Sequence, residues 1–380
     1  LCQQLGETAQ RFPVLYGMWG FQIVRAEYQT ARTLGEELLH IAEKEQAPAL
    51  LVEAHFALGE TLLFMGELAA ARRHCEQSVA HYNAQQHSAL AIAYGQDPAV
   101  SALASEARAL WALGYPEHAL RQSQASVTHA RGLAHPFSLT FALGVTAWVH
   151  QYRREWDQTQ EHAETTIALA TEQRFPYWVA ECTIHRGRAL AEHGHAADGI
   201  DQMRWGITAM RDTGSGFLQS YFLCMLAEAY LNDEQVEEGL ATVAEALAFV
   251  DRTEERFYEV EVYRIKGELT LQQESHKAKV KAQKSKVPAP KSQLLNPSSE
   301  AEACFLKAIE IARKQQAKSL ELRSVMSLSR LWQSQRKEKD AHEMLADIYG
   351  WFTEGFDTKD LQEAQALLTE LAAQPSDQGA

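Results

Sequence analysis

Apolar and small residues recur on one helical face along almost the whole chain. Between Leu50 and Met65 they fall at Val52, Phe56, Gly59 and Leu63, the i, i+4, i+7, i+11 spacing of a single helix face. Gly66-Glu67 places a glycine just behind that helix end. Leu68, Ala71, Cys75, Val79 and Tyr82 then form a second stripe. Pro48, Pro98, Pro116, Pro136 and Pro176 each open a stretch of the same kind, a position where proline's missing N–H is harmless. No strand-like alternation appears. The pattern predicts pairs of helices: Val14–Ala26 with Glu27–Gln46, Leu50–Met65 with its successor, Pro98–Leu113 with Pro116–Leu133, Pro136–Tyr152 with Glu155–Gln173 and Pro176–His193 with Ala196–Asp212. Gly216–Leu231 with Glu234–Arg252, Glu254–Gln273 with Glu300–Gln316, and Lys318–Gln335 with Glu338–Phe352 follow, and Thr358–Ala373 closes the chain.

Beneath the helical period lies a longer one. Ala147, Gly187, Ala227 and Gly267 are 40 residues apart, and Thr159, Gly199 and Gly239 follow 12 residues after the first three. The series extends outwards to Ala107 and Gly59, and to Ala119, Ala71 and Ala31. Two small residues 12 apart, one on each of two consecutive helices, imply close packing within a pair. A fixed period of this length signals a repeat array. The expected fold is therefore all-α, a right-handed α-solenoid of antiparallel helix pairs with a period of about 40 residues. Ala71 to Ala119 is 48 residues, so extra residues lie between Tyr82 and Pro98. That stretch holds His87, Tyr94, Gly95, Gln96 and Asp97, and reads as a plain insertion or a binding edge. Residues 275–298 carry six lysines and three prolines and no acid, the composition of a solvated insertion, with a basic patch for nucleic acid or lipid as the rival reading. The expected organisation is helical repeats over 1–274, a flexible Lys/Pro-rich insertion over 275–298, the last repeats and a capping helix over 299–373, and a disordered tail over 374–380. Leu1 to Arg11 looks like the end of a helix whose partner is missing, as in a piece of a longer protein.

Composition narrows function mostly by exclusion. A formal charge of −14 disfavours non-specific attraction to phosphates or anionic membranes. The five cysteines are scattered and form no disulfide framework, which fits a reducing cytoplasm. No apolar run is long enough to span a membrane. GxxxxGK[ST], GxGxxG, HExxH and GxSxG are all absent. His193-Gly-His195 lacks the further ligands a metal needs, and Asp212-Thr-Gly-Ser-Gly216 reads as a turn. The chain is expected to be neither an enzyme nor a metal or cofactor carrier.

What repeats offer is a surface. In solenoids of the tetratricopeptide repeat kind, which these paired small residues resemble, the first helix of each pair lines the concave side, so the residue after each small packing residue is expected to turn there: Glu60, Arg108, Trp148, Arg188, Glu228 and Glu268. Phe56, Ile184 and Arg264 lie three residues before their packing residues, and Trp111 and Tyr221 share that side by the same counting. Alternating charge with aromatics suits a peptide or polar ligand.

The two small positions 12 apart resemble those of the tetratricopeptide repeat (TPR) family, with units longer than its usual 34 residues, as in the sensor repeats of bacterial signalling ATPases. Gly59–Glu67, Tyr94–Pro98, Glu255–Glu259 with Tyr263–Leu269, and Tyr349–Asp357 resemble more closely the C-terminal repeat region of bacterial multidomain adenylate/guanylate cyclase-like proteins. That resemblance implies a cytoplasmic regulatory interaction module, binding a protein segment or effector in its groove and controlling attached cyclase or ATPase domains. Self-association as a scaffold for catalytic domains is the alternative.

Overall fold

The computed structural model describes residues 11–87, 89–284 and 299–373, with side chains described as far as residue 279 in the second stretch. The helical end expected before Arg11, most of the Lys/Pro-rich stretch and the tail after 373 lie outside these residues.

The described residues form nineteen helices and no strand. The helix pairs are α1 (Arg11–Val24) with α2 (Tyr28–Glu45), α3 (Pro48–Phe64) with α4 (Leu68–His81), α7 (Pro98–Leu113) with α8 (Pro116–Gly132), and α9 (Pro136–Tyr152) with α10 (Trp156–Gln173). α11 (Pro176–Glu192) pairs with α12 (Ala196–Asp212), α13 (Gln219–Asn232) with α14 (Val236–Thr253), α15 (Glu259–Lys284) with α16 (Ser299–Gln315), and α17 (Lys318–Ser334) with α18 (Glu338–Tyr349). α19 (Lys359–Ala373) ends the array, and the short α5 (Ala84–His87) and α6 (Leu90–Tyr94) fill the irregular step. This is the right-handed, TPR-like solenoid of helix pairs.

The period is visible in the backbone itself. Turns within pairs adopt the left-handed conformation at Ala26, Gly66, Gly114, Arg154, Gly194 and Glu234, and turns between pairs at Gln46, Ala134, Arg174, Gly214 and Glu254. At eight of them, Ala26, Gln46, Gly66, Gly114, Arg154, Arg174, Gly194 and Glu234, the next N–H reaches back to a last-turn carbonyl. The small residues keep the helices close. A Cβ on Gly187 would lie 2.6 Å from the carbonyl oxygen of Gly199, its counterpart 12 residues on.

Two details differ from the sequence pattern. α15 continues to Lys284, through the first lysines of the expected insertion. The extra residues before Pro98 fold against α1, where Tyr94 meets Tyr16 at 4.8 Å and Phe12 at 6.3 Å between ring centroids. Asp97 then caps α7, accepting from the backbone N–H groups of Ala99 and Val100. In the described residues this insertion is packed structure.

The pitch is short, and the superhelix closes on itself. The last-turn carbonyls of the inner helices need donors, and the next superhelical turn supplies them. Val24 O accepts from Gly216 N at 2.9 Å, and Phe64 O from Arg256 N and Phe257 N at 2.8 and 3.1 Å. Trp111 O accepts from Ser319 Oγ at 2.6 Å, and Tyr152 O from Arg323 Nη2 at 2.6 Å. The first pair thus meets the sixth, the second the seventh and the third the eighth. Among the described residues no helix is long and apolar enough to cross a membrane.

Candidate functional site at the mouth of the superhelix

Closure decides what the inner faces can do. Along α3, α7, α9 and α13 the lumen is filled with side chains. Trp111 stacks on Tyr152 at 4.4 Å, Trp148 lies 5.4 Å from Tyr221, and Tyr221 meets Tyr258 edge-on at 4.8 Å. Phe56 packs against Trp19. Glu60 accepts from Arg108 Nη2 at 2.7 Å, and the Arg108 guanidinium lies 5.0 Å from the Trp148 ring. Phe56, Glu60, Arg108, Trp111, Trp148 and Tyr221 all face the lumen, yet none is more than 3% exposed. The open groove expected along this stretch is therefore corrected: neighbouring turns of a tight superhelix cover it, and these residues form its core.

Two buried titratable groups sit in that filling on α11. Trp148 Nε1 donates to Glu181 Oε1 at 2.7 Å, and burial pushes the Glu181 carboxyl up to about 8. Burial likewise pulls His185, stacked on Trp148, down to about 3.

The lumen opens beside the C-terminal ends of α11 and α13, where a cavity of about 340 Å³ is ringed by charge. Arg188 on α11 donates to Glu228 on α13 at 2.8 Å, and Arg264 on α15 donates to the other oxygen of Glu228 at 3.2 Å. Arg264 also holds Glu261 at 2.8 Å, and Arg323 on α17 lies 3.8 Å from that carboxylate. Arg323 Nε donates to Asp360 on α19 at 2.8 Å, and Arg154, in the α9–α10 turn, donates to Asp360 and Glu363 at 3.3 and 3.0 Å. Arg330 lies 3.6 Å from Glu363. The ring returns to its start through Trp156, which carries the Arg188 guanidinium 5.0 Å from its ring.

The electrostatics follow from this crowding. Burial acts to raise Glu228, but the guanidinium groups of Arg188, Arg264 and Arg323 outweigh it and hold the carboxyl down at about 2. Glu228 therefore stays charged near neutrality. Asn232, which donates to Glu192 at 3.0 Å, and Ser327, which donates to Glu268 at 2.6 Å, add uncharged hydrogen-bonding groups.

Of the residues expected to bind, the structure brings Arg188, Glu228 and Arg264 together at the mouth, with Glu268 beside them through Ser327. Arg154, Arg323, Arg330, Asp360 and Glu363 were missed. They come from pairs far apart in sequence, joined only where superhelical turns meet. One signal was available: Glu192, Asn232 and Gln272 form a polar series at the 40-residue step.

Cys75, Cys182, Cys224 and Cys304 are free and buried, and burial raises each thiol, which leaves little reactive thiolate. Among the described residues no group of three or more His, Cys, Asp or Glu side chains is placed to hold a metal.

No protein-family model and no curated protein sequence matches the chain. Solved structures do. A Rap protein complexed with competence and sporulation factor aligns with a TM-score of 0.55 and 12% identity, over 96% of this chain and 98% of that one. A signal transduction ATPase with numerous domains and a tetratricopeptide repeat sensor, from Pyrococcus horikoshii, gives a TM-score of 0.44 and 13% identity, over 97% of this chain and 52% of that one. Aspartyl phosphate phosphatase F from Bacillus subtilis gives 0.43 and 8%, over 96% and 94%. The Rap likeness shows the fold, that of a TPR-like helical repeat solenoid.

Proposed function

We propose that the chain is a non-catalytic interaction module that takes a short polar peptide segment, or an effector of similar chemistry, at the mouth of its superhelix. Alternating Arg and carboxylate groups would exchange partners with an incoming segment that carries both charges, and Trp156 offers an aromatic edge. The observation that carries this is the charge ring around a cavity of about 340 Å³, built from helices that meet only when the superhelix is closed. Guanidinium groups favour bidentate recognition of carboxylates. A fold of this kind is complexed with competence and sporulation factor in the Rap protein. Occupying the mouth would bear on the seam between turns. That is a route to regulating attached domains, of the cyclase or ATPase kind that the sequence resemblance suggests.

The test is to pan a library of short peptides against the chain and to record amide exchange with the best binder present. Protection should concentrate on α11, α13, α15 and α17 around Arg188, Glu228, Arg264 and Arg323. Protection confined to the outer helices would refute the proposal.

A further inference from the structure

One junction recurs along the seam between superhelical turns, filled in one repeat and open in the repeat before it. The filled copy is at the third pair. Residues 350–358, which connect α18 to α19, reach the start of α8 there. Glu354 Oε1 accepts from the backbone N–H groups of Glu117 and His118 at 2.9 and 3.0 Å, and the Gly355 N–H donates to Glu117 Oε1 at 2.9 Å. Tyr115, the N-cap residue of α8, gives no side-chain cap, so a carboxylate from a distant segment satisfies the helix end. The register carries Glu117 and His118 back 48 residues to Ala69 and Ala70 in α4. Glu67 likewise gives α4 no side-chain cap, and among the described residues nothing accepts from the N–H groups of Ala69 and Ala70. No loop arrives, because only Gln316 and Ala317 join α16 to α17. The junction is instead a cavity of about 560 Å³ between α4 and α16.

We propose that this cavity binds an acidic peptide segment of a partner protein, seated as Glu354 and Gly355 are on α8. The walls favour a carboxylate. Glu67, Glu259 and Glu310 are each held by a basic wall residue, Arg32, Arg256 and Lys307 in that order, and Glu254 accepts from Gln29. Arg73 and Lys314, both exposed, have no ion pair among the described residues. The charge left over is positive, beside the positive end of a helix dipole. Gln315 supplies the second contact. It is only 9% exposed, its Nε2 donates to the Arg256 carbonyl at 2.8 Å, and its Oε1 has no partner. A buried acceptor of this kind calls for a donor. In the filled copy Gly355 brings a peptide N–H to Glu117 Oε1. In the open copy the N–H that follows the incoming carboxylate goes to Gln315 Oε1. Leu68 and Ile311 give the segment an apolar floor. The site is separate from the mouth and does not depend on it.

Calorimetric titration of the 380-residue chain with a capped peptide, acetyl-Phe-Thr-Glu-Gly-Phe-amide, tests this. The peptide has the sequence of residues 352–356, and its caps remove the terminal charges. It should bind the wild-type chain. Lys314→Glu and, separately, Arg73→Glu should each weaken binding about tenfold. Circular dichroism and melting should stay as in wild type, because both side chains are exposed and unpaired. The same peptide with Gln in place of Glu should bind wild type as poorly as the original binds these variants. Arg330→Glu, at the mouth, should bind the original peptide as wild type does, so a failure here and a failure at the mouth are told apart. No binding by wild type up to about 1 mM peptide overturns the proposal. So does equal binding of the Gln peptide, or binding that both Lys314→Glu and Arg73→Glu keep and Arg330→Glu loses.

Discussion

Arg108 and Glu60 stand on successive inner helices and form a 2.7 Å ion pair from which water is excluded, their side chains 1% and 4% exposed. Two residues that the repeat period alone marks as groove-lining are thus each other's partners. Ser105 completes the group, donating to the same Glu60 oxygen that Arg108 holds.

Removing one member leaves the other charge buried and alone. Glu60→Ala should therefore cost on the order of 3–5 kcal/mol, seen as a large drop in the urea midpoint. Glu60→Leu combined with Arg108→Met should cost less than either single change, because neither charge is stranded. Equal or greater loss in the double variant would mean that the pair stabilises more than it costs to desolvate.

The small residues make a second prediction. Gly187 has no room for a Cβ against Gly199, and the Phe305 ring occupies the space beside Gly267. Leu at either position should destabilise by about 1–3 kcal/mol or more through overpacking. Unchanged melting in both variants would show that the helices of α11/α12 and α15/α16 are not in close contact.

Glu181 makes stability depend on pH in the direction opposite to most carboxylates. Its carboxyl titrates at about 8 in the folded chain, against an ordinary value of 4.5. Between these values the unfolded chain has lost that proton and the folded chain keeps it, so stability falls as pH rises through the window. Glu181→Gln should remove this residue's share of the slope, matching wild type near pH 4.5 and exceeding it by on the order of 4 kcal/mol at pH 8, while Glu53, Glu106 and Glu255, also raised by burial, keep theirs. Glu228 acts on the acid side: held at about 2 by its arginines, its contribution is present above 4.5 and lost as pH falls towards 2. Parallel melting curves for wild type and Glu181→Gln from pH 4.5 to 8 would show that Glu181 titrates normally.

The repeat fold was legible because its signals are local and periodic. Ala147, Gly187, Ala227 and Gly267 recur where helix pairs touch, and the prolines at Pro136 and Pro176 stand where helices begin. The inward direction of Glu60, Arg108, Trp148 and Arg188 could also be counted. What counting along the chain could not supply is the pitch. Pitch is set by contacts such as Ser319 with the Trp111 carbonyl, between residues with no fixed sequence relation. Pitch in turn decides that Trp111 and Trp148 are core and that Arg154 and Asp360 share a site. Truncating Trp148 to Ala is accordingly a stability experiment, with an expected loss of about 3–5 kcal/mol.

If recognition is confined to the mouth, binding must respond to its rim and ignore the convex surface. Arg330 suits the first role, since its side chain is half exposed and only loosely paired with Glu363. Trp205 suits the second: it stands on the outer helix α12, 53% exposed, and would be the natural anchor for a partner binding outside. The decisive measurement is a calorimetric titration of one selected peptide into wild type, Arg330→Glu and Trp205→Ala, with folding of each confirmed by circular dichroism. Arg330→Glu should weaken binding about tenfold or more, a loss of about 1.4 kcal/mol, and Trp205→Ala should bind as wild type does. Normal binding by Arg330→Glu together with lost binding by Trp205→Ala would place the working surface on the outer helices and contradict the mouth.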